Sequence, residues 1–166
     1  MSSMFNLSSN GLALIKRWEG FVPNAYRDVA GVWTIGYGHT HGFQKGLLTQ
    51  NSVIDEREAE ILLHKDVFSA EREVNRAVTI AINQNEFDAL VSFEFNTGGL
   101  RRSTALARLN AGDRAGAAQA LTWWCKARID GELRIVKGLK LRREDEATLF
   151  LQVPANPLPH EKATPC

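Results

Sequence analysis

Cysteine is scarce in this chain, and so are the long apolar runs that a membrane segment needs. The 166 residues include two cysteines, Cys125 and Cys166, too few for a disulfide framework. The longest early apolar run, Leu12 to Ile15, is far shorter than the roughly 20 residues of a membrane span. No basic amino-terminal region of a targeting segment is visible. We therefore expect a chain that folds in the cytoplasm and has no membrane anchor.

A strong excess of one charge is also absent, since the net charge is only +1. The distribution is uneven, because the segment from Arg101 to Arg143 holds eleven basic and three acidic residues. Such a segment suits an anionic polymer, either a cell wall or a nucleic acid. A set of solvated helix faces explains it equally well.

Proline is nearly missing from the first 152 residues, whereas four of the five prolines lie between Val153 and Cys166. We expect residues 153–166 to be an extended or disordered tail, and residues 1–152 to be one domain. The apolar spacing within that domain is mostly helical. Predicted helices cover residues 8–19, 55–77, 83–95, 103–109, 114–124 and 139–151, and residues 128–131 form a turn.

Two carboxylates and one hydroxyl stand out between Trp18 and Thr40. On a helical plot, Glu19 falls inside the apolar arc of the first helix, and Gly20 is a typical helix end. Burial among apolar side chains raises the pKa of a carboxyl, which suits a general acid. A structural ion pair with Arg101 or Arg102 is the alternative role for Glu19.

Asp28 and Thr34 belong to a predicted β-hairpin around Ala30-Gly31. A two-residue loop would place them on opposite faces, whereas a three-residue loop with Gly31 left-handed places both on one face. We predict the three-residue loop. Asp28, close to a turn and polar groups, should stay ionised. An acid and an ionised carboxylate divide the work of glycosidic bond cleavage, and Thr34 would hold a water on the far face of the sugar.

The spacing of Glu19, Asp28 and Thr34, followed by Ile35 to Thr40 (IGYGHT), resembles the catalytic signature of phage-type lysozymes, the T4-lysozyme-like endolysins. Two later segments agree with it: FEFNTGG at residues 93–99 and GLKLRREDE at residues 138–146.

The resemblance implies an α+β, mostly helical, two-lobe fold. The implied parts are a small hairpin lobe (about 12–54), a bridging helix (about 55–77) and a helical lobe (about 78–152). The amino-terminal helix would belong to the helical lobe. Hydrolysis of peptidoglycan by a monomer is implied, with no cofactor and no metal. Glu19 would be the acid, Asp28 and Thr34 would position water, and Thr40, Phe95 and Asn96 would contact the sugar. Core packing is the alternative role for Phe95, and helix capping is the alternative for Asn96. A phage holin would release the enzyme from the host cytoplasm to the cell wall.

Two alternatives remain at this stage. A lytic transglycosylase needs one acid and no positioned water, so the Asp28 and Thr34 pair argues against it. A non-catalytic protein that binds the cell wall or nucleic acid would use the basic segment. His39 and His41 form an H-x-H pair, but without further ligands the pair is insufficient to predict a metal site. We instead expect His39 to hydrogen-bond locally and to steady the hairpin.

Overall fold

A computed structural model describes residues 4–42 and 46–154. The predicted tail at 153–166 therefore lies almost wholly outside the described residues, and so does Cys166. The helices are α1 (Ser9–Glu19), α2 (Glu56–Ala77), α3 (Gln84–Thr97), α4 (Thr104–Asn110), α5 (Arg114–Leu121) and α6 (Lys137–Leu151). The strands are β1 (Val22–Arg27), β2 (Trp33–Gly36), β3 (Lys126–Ile129) and β4 (Glu132–Ile135), and a 3₁₀ turn spans Leu100–Arg102.

The predicted class, mostly helical with a small β component, is confirmed by these elements. The strands form two antiparallel hairpins, β1 with β2 and β3 with β4. Within the described ranges, no helix is both long enough and apolar enough to cross a membrane.

The described chain divides into two compact units. We call residues 12–69 the hairpin unit, and the residues up to Gly11 together with those from Ala70 onward the helical unit. Both α1 and α2 contribute residues to each unit. The predicted small lobe, bridging helix and helical lobe remain a prediction about how the chain is organised.

The hairpin unit has its core along one face of α1, β2 and the first half of α2. Its buried side chains include Ile15, Ile35, Leu63 and Val67. The start of α2 is fixed by the predicted capping box: Asp55 Oδ1 accepts from the Glu58 amide (2.7 Å), and Glu58 Oε2 accepts from the Asp55 amide (3.3 Å). This cap fixes the residue at which α2 begins. The start of the helix in turn determines which of its side chains face the core.

The helical unit is built around α3, which is buried from Asn85 to Phe93. A second capping box, Asn83 with Glu86, starts this helix, and Gly98 ends it in the left-handed conformation (φ 57°). Helix α6 packs against α3. A helix buried on nearly every side needs partners for each of its polar groups.

The β3–β4 hairpin was not predicted, because residues 128–131 were expected to be only a turn. Asp130 (φ 51°) and Gly131 (φ 83°) both have positive φ, which is typical of a two-residue type I′ loop. Ile129 pairs with Glu132 directly across it. The predicted helix to Trp124 is also wrong, since α5 ends at Leu121. Trp123 and Trp124 follow it and lie under the guanidinium groups of Arg108 and Arg102.

A buried ion cluster joins α3 to α6. The Glu146 carboxylate is fully buried, lies 2.7 Å from Arg143 Nε, and accepts a 2.7 Å hydrogen bond from Ser92 Oγ. Arg142 Nε lies 3.3 Å from the same carboxylate. Burial raises the pKa of Glu146 and lowers that of Arg143, while their mutual attraction opposes both shifts. The cost of burying these charges is therefore offset, because each of them has a partner of opposite charge.

We expect Glu146→Ala to destabilise the fold by about 3–5 kcal/mol, because it leaves the Arg143 charge buried without its partner. Urea denaturation measures this loss. Glu144→Ala is the matched control on the same helix, since Glu144 is exposed and lies 3.8 Å from Lys140; it should cost less than about 0.5 kcal/mol. Equal losses in the two variants would contradict the importance of the buried cluster.

Candidate active site

Helix α1 presents Glu19 as its last residue. The Gly20 amide donates to the Lys16 carbonyl (3.0 Å), and Gly20 takes the left-handed conformation (φ 71°) that ends the helix. Leu12, Leu14 and Ile15 are buried on this helix, as expected. The expectation that Glu19 is buried with them is wrong, because Glu19 is partly exposed. Glu19 is the last residue of α1, and the left-handed Gly20 takes the chain out of the helix directly after it.

The IGYGHT segment forms a tight turn next to Glu19. Ile35 and His39 exchange two backbone hydrogen bonds (3.0 and 2.9 Å), so the chain reverses over Gly36 to Gly38. Gly36 and Gly38 both have positive φ, at 65° and 84°. A Cβ atom added at Gly38 would lie 3.6 Å from Glu19 Oε2. The glycine backbone therefore forms part of the surroundings of this carboxyl group.

Asp28 closes the β1–β2 hairpin. The Gly31 amide donates to the Asp28 carbonyl (2.9 Å), the Asp28 amide donates to the Val32 carbonyl (3.0 Å), and Gly31 is left-handed (φ 77°). The side chain strengthens this loop, because Oδ1 accepts from the amides of Ala30 and Val32, each at 2.9 Å. This is the predicted three-residue loop, spanning Val29 to Gly31.

Thr34 lies on the neighbouring strand and is buried (3% exposed). It pairs with Tyr26, two residues before Asp28, so the register places Asp28 and Thr34 on one face of the hairpin. Thr34 Oγ1 donates to the Val32 carbonyl (3.1 Å). Since the hydroxyl hydrogen is used in this bond, the oxygen presents its lone pairs to any further partner.

The three predicted sugar-contacting residues fall in both units. Thr40 follows the IGYGHT turn in the hairpin unit and is exposed, as a sugar contact requires. Phe95 and Asn96 occupy the last turn of α3 in the helical unit, where Phe95 is partly exposed and Asn96 is exposed. The hairpin unit thus contains Glu19, Asp28, Thr34 and Thr40, and the other two residues belong to the helical unit.

A family model described as phage lysozyme matches residues 16–146, most of the described chain. The chain belongs to the phage lysozyme family. An endolysin of Acyrthosiphon pisum secondary endosymbiont phage 1 is 39% identical over 87% of this chain and 97% of its own length. This phage lysozyme chain therefore aligns with nearly the whole of that relative.

Solved structures agree with the family assignment. The endolysin from Escherichia coli O157:H7 phage FAHEc1 superposes with a TM-score of 0.83 at 38% identity, covering 91% of this chain and 96% of its own. The muramidase domain of SpmX from Asticaccaulis excentricus gives 0.80 at 36% identity, covering 89% and 99%. The lysozyme-like fold is confirmed, and the chain is a glycoside hydrolase of the lysozyme type.

Sequence reasoning missed a polar network between α1, the IGYGHT turn and α2. Tyr37 is buried and donates through its hydroxyl to Glu56 Oε1 (2.8 Å). Lys16 Nζ lies 2.9 Å from Glu60, 3.3 Å from Glu56 and 5.3 Å from the centre of the Tyr37 ring. Burial, followed by the bond to Glu56, raises the pKa of Tyr37. The bond from Tyr37 and then that from Lys16 lower the pKa of Glu56.

His39 also has a partner on α2. Its Nδ1 lies 2.8 Å from Asp66 Oδ2, 27 positions along the chain. The predicted local hydrogen bond of this side chain is therefore wrong. The ring ties the turn to α2 instead of steadying the hairpin from within.

In this phage lysozyme, we expect Tyr37→Phe to lower the melting temperature by about 3 °C at pH 7, because the substitution removes the hydroxyl that donates to the Glu56 carboxylate. The bond lowers the pKa of Glu56 below its ordinary 4.5, so its stabilisation is present above that pH and is lost as the pH falls through the folded-state pKa. The difference between variant and wild type should therefore shrink below about pH 4. Scanning calorimetry from pH 3 to pH 7 measures it.

Tyr26→Phe is the control for this measurement, because Tyr26 is 39% exposed on β1. It should change the melting temperature little at any pH. A Tyr37→Phe effect of constant size down to pH 3 would contradict the assigned role of Glu56.

Proposed function

We propose that this chain is an endolysin that hydrolyses the β-1,4 bond between N-acetylmuramic acid and N-acetylglucosamine in bacterial peptidoglycan. Glu19 is the general acid, and Asp28 and Thr34 hold the attacking water and stabilise charge. Peptidoglycan lysis at the level of the family follows from the phage lysozyme assignment and the endolysin relatives. The observation that carries the residue roles is the hairpin register, which aligns Asp28 with Thr34 in the unit that also holds Glu19.

Glu19 suits the acid role by its position. It stands at the end of a helix anchored by Leu12 and Ile15, so its backbone is well fixed, and its partial exposure leaves the carboxyl accessible to a leaving-group oxygen. The Gly38 backbone beside it has no side chain to block a sugar ring. A proton delivered from a fixed position typically contributes 10²–10⁴-fold to the rate.

Asp28 and Thr34 suit the water-holding role by their hydrogen bonds. The Thr34 hydroxyl donates its hydrogen to the Val32 carbonyl, so its oxygen can accept a hydrogen bond from a water. A carboxylate is also an acceptor, so a water between the two would donate both hydrogens and direct a lone pair at the anomeric carbon. In this scheme the water attacks opposite the departing sugar and gives a proton to Asp28, while Glu19 protonates the leaving oxygen, and the anomeric configuration is inverted.

Thr40, Phe95 and Asn96 are proposed to bind the sugar chain. A threonine hydroxyl and an asparagine amide provide donors and acceptors for sugar hydroxyl and acetamido groups. The phenylalanine ring supplies a flat apolar surface. Their exposure or partial exposure supports this role.

Loss of the acid is the first test. We expect Glu19→Gln to lower the rate at which permeabilised cells lose turbidity by about a thousandfold, with the fold intact by circular dichroism. Glu144→Gln, an exposed glutamate on α6, is the control and should be fully active. Lysis by the Glu19→Gln variant at more than a tenth of the wild-type rate would exclude Glu19 as the acid.

Asp28 requires two variants, because Oδ1 also holds the hairpin loop. Asp28→Asn keeps an oxygen acceptor for both loop amides but removes the charge, whereas Asp28→Ala removes both. We expect both variants to lose about a hundredfold in activity, while only Asp28→Ala lowers the melting temperature. Activity that survives in the asparagine variant would limit Asp28 to a structural role.

Product analysis separates hydrolysis from the transglycosylase alternative. A hydrolase leaves a reducing sugar end, whereas a transglycosylase leaves an anhydro sugar that is lighter by one water. We expect only the hydrated products in the mass spectrum of digested peptidoglycan. Anhydro products from the wild-type enzyme would show that it is a transglycosylase and would refute the hydrolytic mechanism.

Host-cell lysis is proposed to depend on a holin-type partner that releases a monomeric enzyme from the host cytoplasm to the cell wall. Expression in the cytoplasm with and without a membrane-permeabilising protein tests this route. We expect rapid lysis only when the membrane is opened. Equally fast lysis without the second protein would remove the holin from the proposal.

A further inference from the structure

Three potential metal ligands converge beside the IGYGHT turn. His39 and His41 come from the segment that follows β2, and Asp66 comes from α2, all within the hairpin unit. One ligand atom from each residue lies within 4.8 Å of those of the other two. The H-x-H pair, which lacked a further ligand in the sequence, acquires one from a helix far along the chain.

His39 is already oriented for binding. Its side chain is only 7% exposed, and Asp66 Oδ2 lies 2.8 Å from Nδ1. These two atoms already lie close enough together to bind one ion, which would take the place of the proton that they share.

His41 supplies the adjustable side of the cluster. It is exposed, its ring centre lies 5.8 Å from that of His39, and its Nδ1 lies 3.4 Å from Thr40 Oγ1. A contact of that length is weak. An exposed ring can rotate at small cost, so His41 can approach an ion at the roughly 2.0–2.1 Å of a zinc–nitrogen bond.

We propose that His39, His41 and Asp66 bind one divalent transition-metal ion of the Zn²⁺ class. Two imidazole nitrogens with one carboxylate suit Zn²⁺, Ni²⁺ or Cu²⁺, whereas Ca²⁺ and Mg²⁺ prefer all-oxygen ligands. The exposed side of His41 provides the entry path and leaves a position for water. None of the three ligands is among the proposed catalytic or sugar-binding residues.

Zinc titration of the metal-stripped full chain tests the site. We expect isothermal titration calorimetry to show one Zn²⁺ per chain and the melting temperature to rise as Zn²⁺ is added, because the ion binds only the folded site. His41→Ala should weaken binding at least tenfold while leaving the melting temperature without metal unchanged, since His41 is exposed. Binding by His41→Ala at wild-type affinity, or no saturable binding by the wild type, would overturn the proposal.

The chain offers two matched controls, because its four histidines are His39, His41, His64 and His160. His64→Ala and His160→Ala should each bind Zn²⁺ as the wild type does. NMR spectra of the histidine rings locate the ion directly: Zn²⁺ should shift the signals of His39 and His41 and leave that of His64 in place. A loss of binding in either control, or a shift confined to His64, would assign the ion elsewhere and refute the site.

Discussion

The turn over Gly36 to Gly38 is the constraint on which the hairpin unit depends. Gly36 lies so close to α2 that an added Cβ would be 2.9 Å from the Ala59 Cβ, and its positive φ already favours glycine. The turn directs Tyr37 to Glu56 and His39 to Asp66 on the same helix. It also brings Gly38 beside Glu19. One glycine-dependent reversal thus fixes β2 relative to α2 and shapes the surroundings of the proposed acid.

The local parts of this arrangement could be read from the sequence, because they depend on neighbouring residues. The loop after Asp28 follows from the left-handed preference of Gly31, and the face shared by Asp28 and Thr34 follows from the loop length. The burial of Glu19 was misjudged for a physical reason. A helical plot gives the direction of a side chain, but it does not show where the surrounding chain stops covering the helix end.

Contacts between distant residues were not predictable, because no local pattern encodes them. Asp66 reads as one of several charges on the polar side of α2, yet it holds His39, 27 positions away. Glu146 likewise reads as a surface charge in an arginine-rich helix, although it is fully buried. The β3–β4 hairpin differs, since Asp130-Gly131 is a strong local signal for a two-residue loop and is visible in the sequence itself.

Helix α2 therefore does more than its amphipathic pattern suggests. Within the hairpin unit, its apolar residues Leu63 and Val67 fill the core, while its acidic residues Glu56 and Asp66 orient the side chains of the IGYGHT turn. An apolar contact tolerates small shifts, whereas a hydrogen bond weakens steeply when its angle departs from the preferred range. Gly38 borders Glu19. By fixing the position of the turn, these acidic residues therefore also fix the backbone beside the proposed acid. In this unit, polar groups outside the proposed catalytic set help to fix the shape of the space around it.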